Sequence, residues 1–407
     1  MVGGALKTIV ISDLHLGLDD RISENVSNRP KLVDFIDKIR TEQMADELVI
    51  AGDFLDQWFY PGSVDLPRGS REFYLACAKN NQVVVDALVR LIESGIPVVY
   101  VPGNHDMTMA HEVLAEIVPG IRQARDVPGL GRYRTGVRGE VVVEHSHRYE
   151  IMCAPDTVTN ADLVEYGYPM LPAGYFFARV GVQSGAEGLA YSKDESLRKE
   201  LPRPPEPDPD DADACAAYEY WKVWADIIND WFPVKEGVGD KFVKVAVDGF
   251  AGEYSLADLL PAVQPDGSLN APLYRDVWKN WGEVQRRNLV PAPVSAEHSL
   301  KHAADNEERI EELPARVYFD VDPTVDVVVF GHTHVPGYKD FTGYDRPKVF
   351  ANSGTWVDDN GDDPNNTATF VLVESTHEGD AVQVLKCLGD GKVEDIVPVE
   401  NDHIRRA

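Results

Sequence analysis

The most regular signal in the chain is a set of short, unbroken apolar runs, each followed at once by polar residues. Ile9-Val10-Ile11 leads into Ser12-Asp13-Leu14-His15, and Leu48-Val49-Ile50-Ala51 leads into Gly52-Asp53-Phe54-Leu55-Asp56. Val98-Val99-Tyr100-Val101 leads into Pro102-Gly103-Asn104-His105-Asp106. Val141-Val142-Val143 leads into Glu144-His145-Ser146-His147, and the run ending at Phe330 leads into Gly331-His332-Thr333-His334. Such β-branched runs without alternation predict strands buried on both faces. Between them the period changes. Leu32, Phe35, Ile36 and Ile39 predict a helix over 31–40. Val84, Leu88, Leu91 and Ile92 predict one over 73–94 that Gly95 stops. Strand alternating with helix predicts an α/β core, with further strands at 369–374 and 381–388 completing a sheet. In such cores ligands bind beyond the carboxyl ends of strands, which is where all five polar clusters fall.

The stretch between the fourth and fifth clusters has a different character. Pro202 to Asp211 is rich in proline and acid and predicts a stiff loop. Trp221, Trp224, Ile228 and Trp231 predict a helix ended by Pro233, and Val277, Trp278, Trp281 and Val284 predict a second. Residues 242–254 predict a hairpin turning at Asp248-Gly249, and Ser255 to Asp258 a capping box opening a short helix. A connection this long must carry structure of its own. The expected organisation is therefore a core of residues 1–152 and 322–407, with 153–321 inserted as a mainly helical lid or cap. Its tryptophans are expected in the core of that insert, since large aromatics mostly bury.

Composition narrows the partners. A chain of 407 residues suits one large domain with insertions, or two domains. A formal net charge of −29 disfavours a nucleic-acid backbone or an anionic membrane as partner. The four cysteines are far apart and form no C-x-x-C pair, which points to a reducing compartment. The N-terminal apolar stretch is too short for a secretory signal and runs straight into Asp13, so the expected location is cytoplasmic. No apolar run reaches membrane-spanning length, and Arg179 interrupts the longest candidate, 173–182.

The clusters together supply carboxylates, the Asn104 carboxamide and several imidazoles. Asp13 and His15 are two apart, so in extended chain both side chains leave on one side. Nitrogen and oxygen donors without thiolate suit Mn²⁺, Fe or Zn²⁺ at five- or six-coordinate sites better than structural zinc. There are donors for two metals, and metal pairs that share a bridging carboxylate serve phosphoryl hydrolysis.

Asp13-x-His15, Gly52-Asp53-x-x-Asp56, Gly103-Asn104-His105-Asp106, a later histidine and Gly331-His332-x-His334 resemble, in type and order, the motifs of the calcineurin-like metallophosphoesterase superfamily. The resemblance covers roughly residues 6–150 and 322–375 and leaves out the insert. It implies a sandwich of two mixed β-sheets flanked by helices. It also implies two divalent ions, Mn²⁺ foremost, with Asp13, His15 and His334 on the first, Asn104, His145 and His332 on the second, and Asp53 bridging. A hydroxide held between the metals would attack phosphorus in line. His105 would stabilise or protonate the leaving oxygen, with Asp106 setting its tautomer. Asp56 would be either a hydrogen-bond acceptor for a ligand histidine or a plain turn residue. The family generally has His-Gly at the fourth cluster, where this chain has His145-Ser146-His147. Either histidine can be the ligand. His145, which leaves the strand directly, is favoured, and His147 and Arg148 are then candidates for the substrate phosphate. The implied substrate is a small phosphoester or pyrophosphate. The first two motifs are also similar to those of UDP-diacylglucosamine pyrophosphohydrolases, which commonly carry Arg where this chain has His105. A nuclease and a non-catalytic metal scaffold are the other readings.

Overall fold

Each of the five apolar runs forms a strand. The computed structural model describes residues 4–164, 171–291, 293–305, 313, 315–360, 366–389 and 392–396; the last residues of the expected core, 397–407, lie outside these. In chain order the first elements are β1 (Leu6–Ile11), α1 (Arg29–Glu42), β2 (Glu47–Ala51), α2 (Ser70–Asn80), α3 (Gln82–Glu93), β3 (Val98–Val101), α4 (His111–Ile117), β4 (Arg122–Gln123), β5 (Tyr133–Thr135) and β6 (Val141–Val143). Then come α5 (Ala173–Ala186), α6 (Ala212–Asp226), β7 (Val243–Val247), β8 (Phe250–Tyr254), α7 (Leu256–Leu259), β9 (Ala262–Val263), β10 (Leu269–Asn270), α8 (Val277–Arg287) and α9 (Ala296–Asp305). The chain closes with β11 (Val327–Phe330), β12 (Gly337–Phe341), β13 (Lys348–Asn352), β14 (Thr369–Ser375), β15 (Asp380–Cys387) and β16 (Val393–Asp395).

Two mixed sheets carry the candidate chemistry. One has the order β16-β15-β14-β1-β2-β3-β4, with β1, β2 and β3 parallel and β14 antiparallel to β1. The other has the order β12-β13-β11-β6-β5, with β6, β11 and β13 parallel and antiparallel strands at both edges. Val10, Val49, Val99 and Val101 of the first sheet join Val141, Val143, Val327 and Val329 of the second in one buried cluster. Residues between them in sequence, such as Ile9, Ile11, Leu48 and Ile50, face the other way and are also fully buried. On that outer face the Phe35 ring of α1 lies 4.6 Å from Phe370 of β14. Burial on both faces is why the runs show no alternation. Each buried valine contributes about 2 kcal/mol.

The helix expected over 73–94 is two helices, α2 and α3. Asn81 breaks it with φ −110° and ψ 28°. Its side-chain amide donates to the carbonyl oxygens of Gly17 and Cys77, both at 2.8 Å, so the break ties down the loop after the first cluster.

The chain divides into two compact units: Met1–Gln57 with Arg71–Ser146 and Ile310–Ala407, and Trp58–Ser70 with His147–Arg309. The first unit holds both large sheets. In the second, β7 and β8 form the hairpin at Asp248-Gly249, and Ser255 and Asp258 make the capping box. Trp221, Trp224, Trp278 and Trp281 are buried on α6 and α8. The α6 stripe ends in a π-helical turn over Ile227–Trp231, with Phe232 N–H donating to Ile227 O. Arg179 of α5 is fully buried. It donates to the carbonyls of Tyr60, Pro61 and Gly62 and to the Tyr175 hydroxyl, which accounts for a cation in an apolar helix and for 58–70 belonging to this unit. No helix among the described residues is long and apolar enough to cross a membrane.

Candidate metal centre

The five clusters sit at the carboxyl ends of β1, β2, β3, β6 and β11. They do not reach the site by continuing the strands. Asp13, His15, Asp53, His332 and His334 all have left-handed backbone, with φ of 52°, 43°, 51°, 76° and 60°. The expectation that Asp13 and His15 converge through extended geometry is therefore corrected. β1 ends at Ile11, and a tight loop turns both side chains in. Such conformations cost about 1 kcal/mol or more each and persist only where surrounding contacts hold them. Here those contacts are backbone bonds from Leu14 and His15 N–H to Asp53 O, and from Trp356 N–H to Asp13 O. Two glycines make room. A Cβ on Gly52, which has φ +92°, would fall 2.5 Å from the His145 ring, and one on Gly103 would fall 2.1 Å from Asp53 Oδ1.

Several donor groups result, among them Asp13 with His15 and His334, Asp53 with His145 and His332, His15 with Asp53 and His105, and His15 with Glu24 and Asp56; the first two are the pair expected from the sequence. In the first, His15 Nε2 lies 3.0 Å from His334 Nε2, and His334 Nε2 lies 3.3 Å from Asp13 Oδ1. In the second, His145 Nε2 lies 2.9 Å from Asn104 Oδ1 and 3.2 Å from Asp53 Oδ2. Asp53 Oδ2 is also 3.5 Å from His15 Nε2, so one oxygen stands between the groups. Asp53 Oδ1 is taken by the His105 N–H at 2.8 Å.

The donor set fits divalent cations. Asp13 Oδ1 is buried and accepts no hydrogen bond among the described residues. His145 Nδ1 faces the Ala51 carbonyl at 2.8 Å, and a carbonyl only accepts, so Nδ1 carries the proton. Nε2 then turns a lone pair toward two oxygens, which is repulsive unless a proton or a cation lies among them. Without a cation the proton wins. Burial works to lower the His145 pKa, but Asp53 and Asp13 outweigh it and push it up to about 9. Burial likewise opposes ionisation of Asp13, while His145 and then His15 hold its carboxyl well below the usual range.

Asp56 is more than a turn residue. Its Oδ2 is 2.6 Å from His15 Nδ1 and its Oδ1 is 2.8 Å from His105 Nδ1. One carboxylate thus fixes the tautomer of a candidate ligand and of the candidate acid. Asp106, expected at the His105 ring, instead accepts from the backbone N–H groups of Gly103 and Phe54, and Asp56 is the carboxylate that meets His105 Nδ1. Burial and the charge of Asp53 push Asp106 up to about 6. No donor group of this kind among the described residues includes His147. His147 opens a buried 3-10 turn in the second unit, where Arg148 is buried and donates to the Asn288 carbonyl at 2.9 Å. Ser146 has φ +88°, a glycine-like conformation, and its buried hydroxyl has no partner among the described residues.

Two further features support the site. Glu24 Oε2 stands 3.2 Å from His15 Nδ1, and nothing in its polar surroundings in sequence marks it. The segment after β13 holds the loops in place. Asn352 donates to Gly331 O and to Thr333 Oγ1, Ser12 Oγ lies 2.7 Å from Ser353 Oγ, and Thr355 Oγ1 donates to Asp13 O. Its signal is the same apolar run breaking into polar residues that marks the five clusters.

A buried carboxylate between two imidazole-rich donor groups, on a two-sheet α/β sandwich, is the framework of a metal-dependent phosphoesterase. The chain belongs to the calcineurin-like phosphoesterase family, whose sequence model matches residues 6–260. The match ends before His332 and His334. No curated protein matches the chain. Among solved structures it is similar to the GAP50 anchor of the inner membrane complex of Plasmodium, at 10% identity, with 98% of this chain and 91% of that chain covered and a TM-score of 0.33. It is also similar to phosphopantetheinyl hydrolase from Mycobacterium tuberculosis, at 14% identity, with 87% and 91% covered and a TM-score of 0.27. At these values neither likeness carries an argument.

Proposed function

We propose that the chain hydrolyses a phosphodiester or pyrophosphate bond of a small substrate with two divalent cations, Mn²⁺ foremost. Asp13, His15 and His334 hold one, Asn104, His145 and His332 the other, and Asp53 is shared. The observation that carries this reading is the placement of Asp53 Oδ2, 3.2 Å from His145 Nε2 and 3.5 Å from His15 Nε2. When bound, the cations lower the pKa of the attacking water and offset charge growing on the phosphoryl oxygens. The protein's own part is orientation and proton handling. Asp56, bound to Nδ1 of His15 and His105, keeps both rings presenting Nε2. In its doubly protonated form His105 keeps Nδ1–H on Asp56 and gives its Nε2 proton to the leaving oxygen as the bond to phosphorus breaks, which returns the ring to the neutral state. Asp106 holds the loop that carries Asn104 and His105 through its two backbone bonds.

The test is hydrolysis of matched nitrophenyl phosphate mono- and diesters and a nucleoside diphosphate sugar by the Mn²⁺-loaded protein. Diester or pyrophosphate turnover exceeding monoester turnover supports the reading. Monoester preference makes the enzyme a phosphatase, and no turnover of any of the three rejects it.

A further inference from the structure

The approach to the site is defined by which of its side chains meet solvent. Asp13, Asp53, Asp56 and Asp106 are 1% exposed or less. Beside them, partly open, stand the side chains of His105 at 15%, Glu24 at 20% and His334 at 27% exposure. His332 is partly open as well, and Glu24 is the anion among the four. Glu24 and Asp56 both face His15 Nδ1, which carries a single proton. Asp56 is the nearer, at 2.6 Å against 3.2 Å, and the shorter contact takes the hydrogen bond. Glu24 therefore acts on His15 by its charge while its carboxylate does not hold the His15 proton.

We propose that Glu24 is a specificity-determining residue that filters substrates by charge at the mouth of the site. It favours a phosphoryl group with one negative charge, as in a diester, flanked by a hydroxyl, amine or amide that donates to the Glu24 carboxylate. It disfavours the dianion of a monoester. A carboxylate a few ångströms from a candidate metal ligand repels a second phosphoryl charge in a site where water screens little. The inference rests on the hydrolase reading above.

The test compares full-length, Mn²⁺-loaded wild type with Glu24→Gln. The measurements are kcat/KM for the nitrophenyl monoester and diester, calorimetric affinity for inorganic phosphate, and bound Mn²⁺. The expected result is a monoester-to-diester ratio raised about tenfold and phosphate bound about tenfold more tightly, with Mn²⁺ content unchanged. A ratio and phosphate affinity that stay at the wild-type values overturn the proposal. Equal losses on both esters with Mn²⁺ lost also overturn it, and make Glu24 a positioning residue for His15. If wild type turns over neither ester nor the nucleoside diphosphate sugar, the hydrolase reading fails, and the phosphate affinity still decides the charge filter.

Discussion

In the second compact unit, Arg179 is fully buried and its guanidinium donates to three backbone carbonyls within 3.2 Å and to the Tyr175 hydroxyl. In the first, Asp13 is as deeply buried, yet its Oδ1 accepts nothing among the described residues, and its backbone is held at φ 52°. Desolvating a charge is expensive in both places. Around Arg179 the protein supplies the compensation itself, so the group is architectural. At Asp13 Oδ1 no hydrogen bond among the described residues completes the compensation, and a cation beside it would supply the missing charge.

Four measurements sharpen or break that comparison. Asp53→Asn should lower kcat by at least about 10³-fold, since a shared anion is lost where transition-state charge is balanced. Activity near wild type would remove Asp53 from its bridging place. Arg179→Met should do the reverse in kind. It leaves several buried carbonyls unpaired and should cost about 3–5 kcal/mol in denaturant unfolding. A loss below about 1 kcal/mol would mean that these carbonyls find other partners.

The third concerns pH. The folded-state pKa of His145 is raised to about 9. Its contribution to the metal-free protein is fully present below about pH 6.5 and is lost as pH rises through about 9, because the folded state binds more protons than the unfolded state in that window. Melting followed in chelator should show stability falling by up to about 3 kcal/mol across that range. Saturating Mn²⁺ should flatten the fall, since a cation replaces the proton. A flat profile in chelator contradicts the lone-pair conflict inferred at Nε2. The smallest effect is at Ser146, where Gly should stabilise by about 1 kcal/mol by relieving the left-handed strain at φ +88° and removing an unpaired hydroxyl. Destabilisation there would mean that the hydroxyl has a partner in solution.

Much of the core was legible in sequence because burial on both faces leaves unbroken valine- and isoleucine-rich runs, and because each run stops where its polar cluster begins. The break at Asn81 was not, since the helical stripe on either side continues in register and only the distant Gly17 carbonyl explains it. The short strands β4, β5, β9, β10 and β16 carry too few residues for a period to show. Residues 58–70 have no pattern of their own, and Arg179 ties them to α5 from over 110 positions away. At the site, residue types and order pointed to the donor groups, but not to how the side chains converge. The left-handed loops, the Asp56–His105 pairing in place of Asp106, and Glu24 at His15 all depend on tertiary placement.

The most direct test of the central claim is anomalous diffraction from crystals grown with Mn²⁺. The account predicts two peaks on either side of Asp53, one contacted by Asp13, His15 and His334 and the other by Asn104, His145 and His332. A single peak, or a second ion held by His147 with His145 uninvolved, would contradict it.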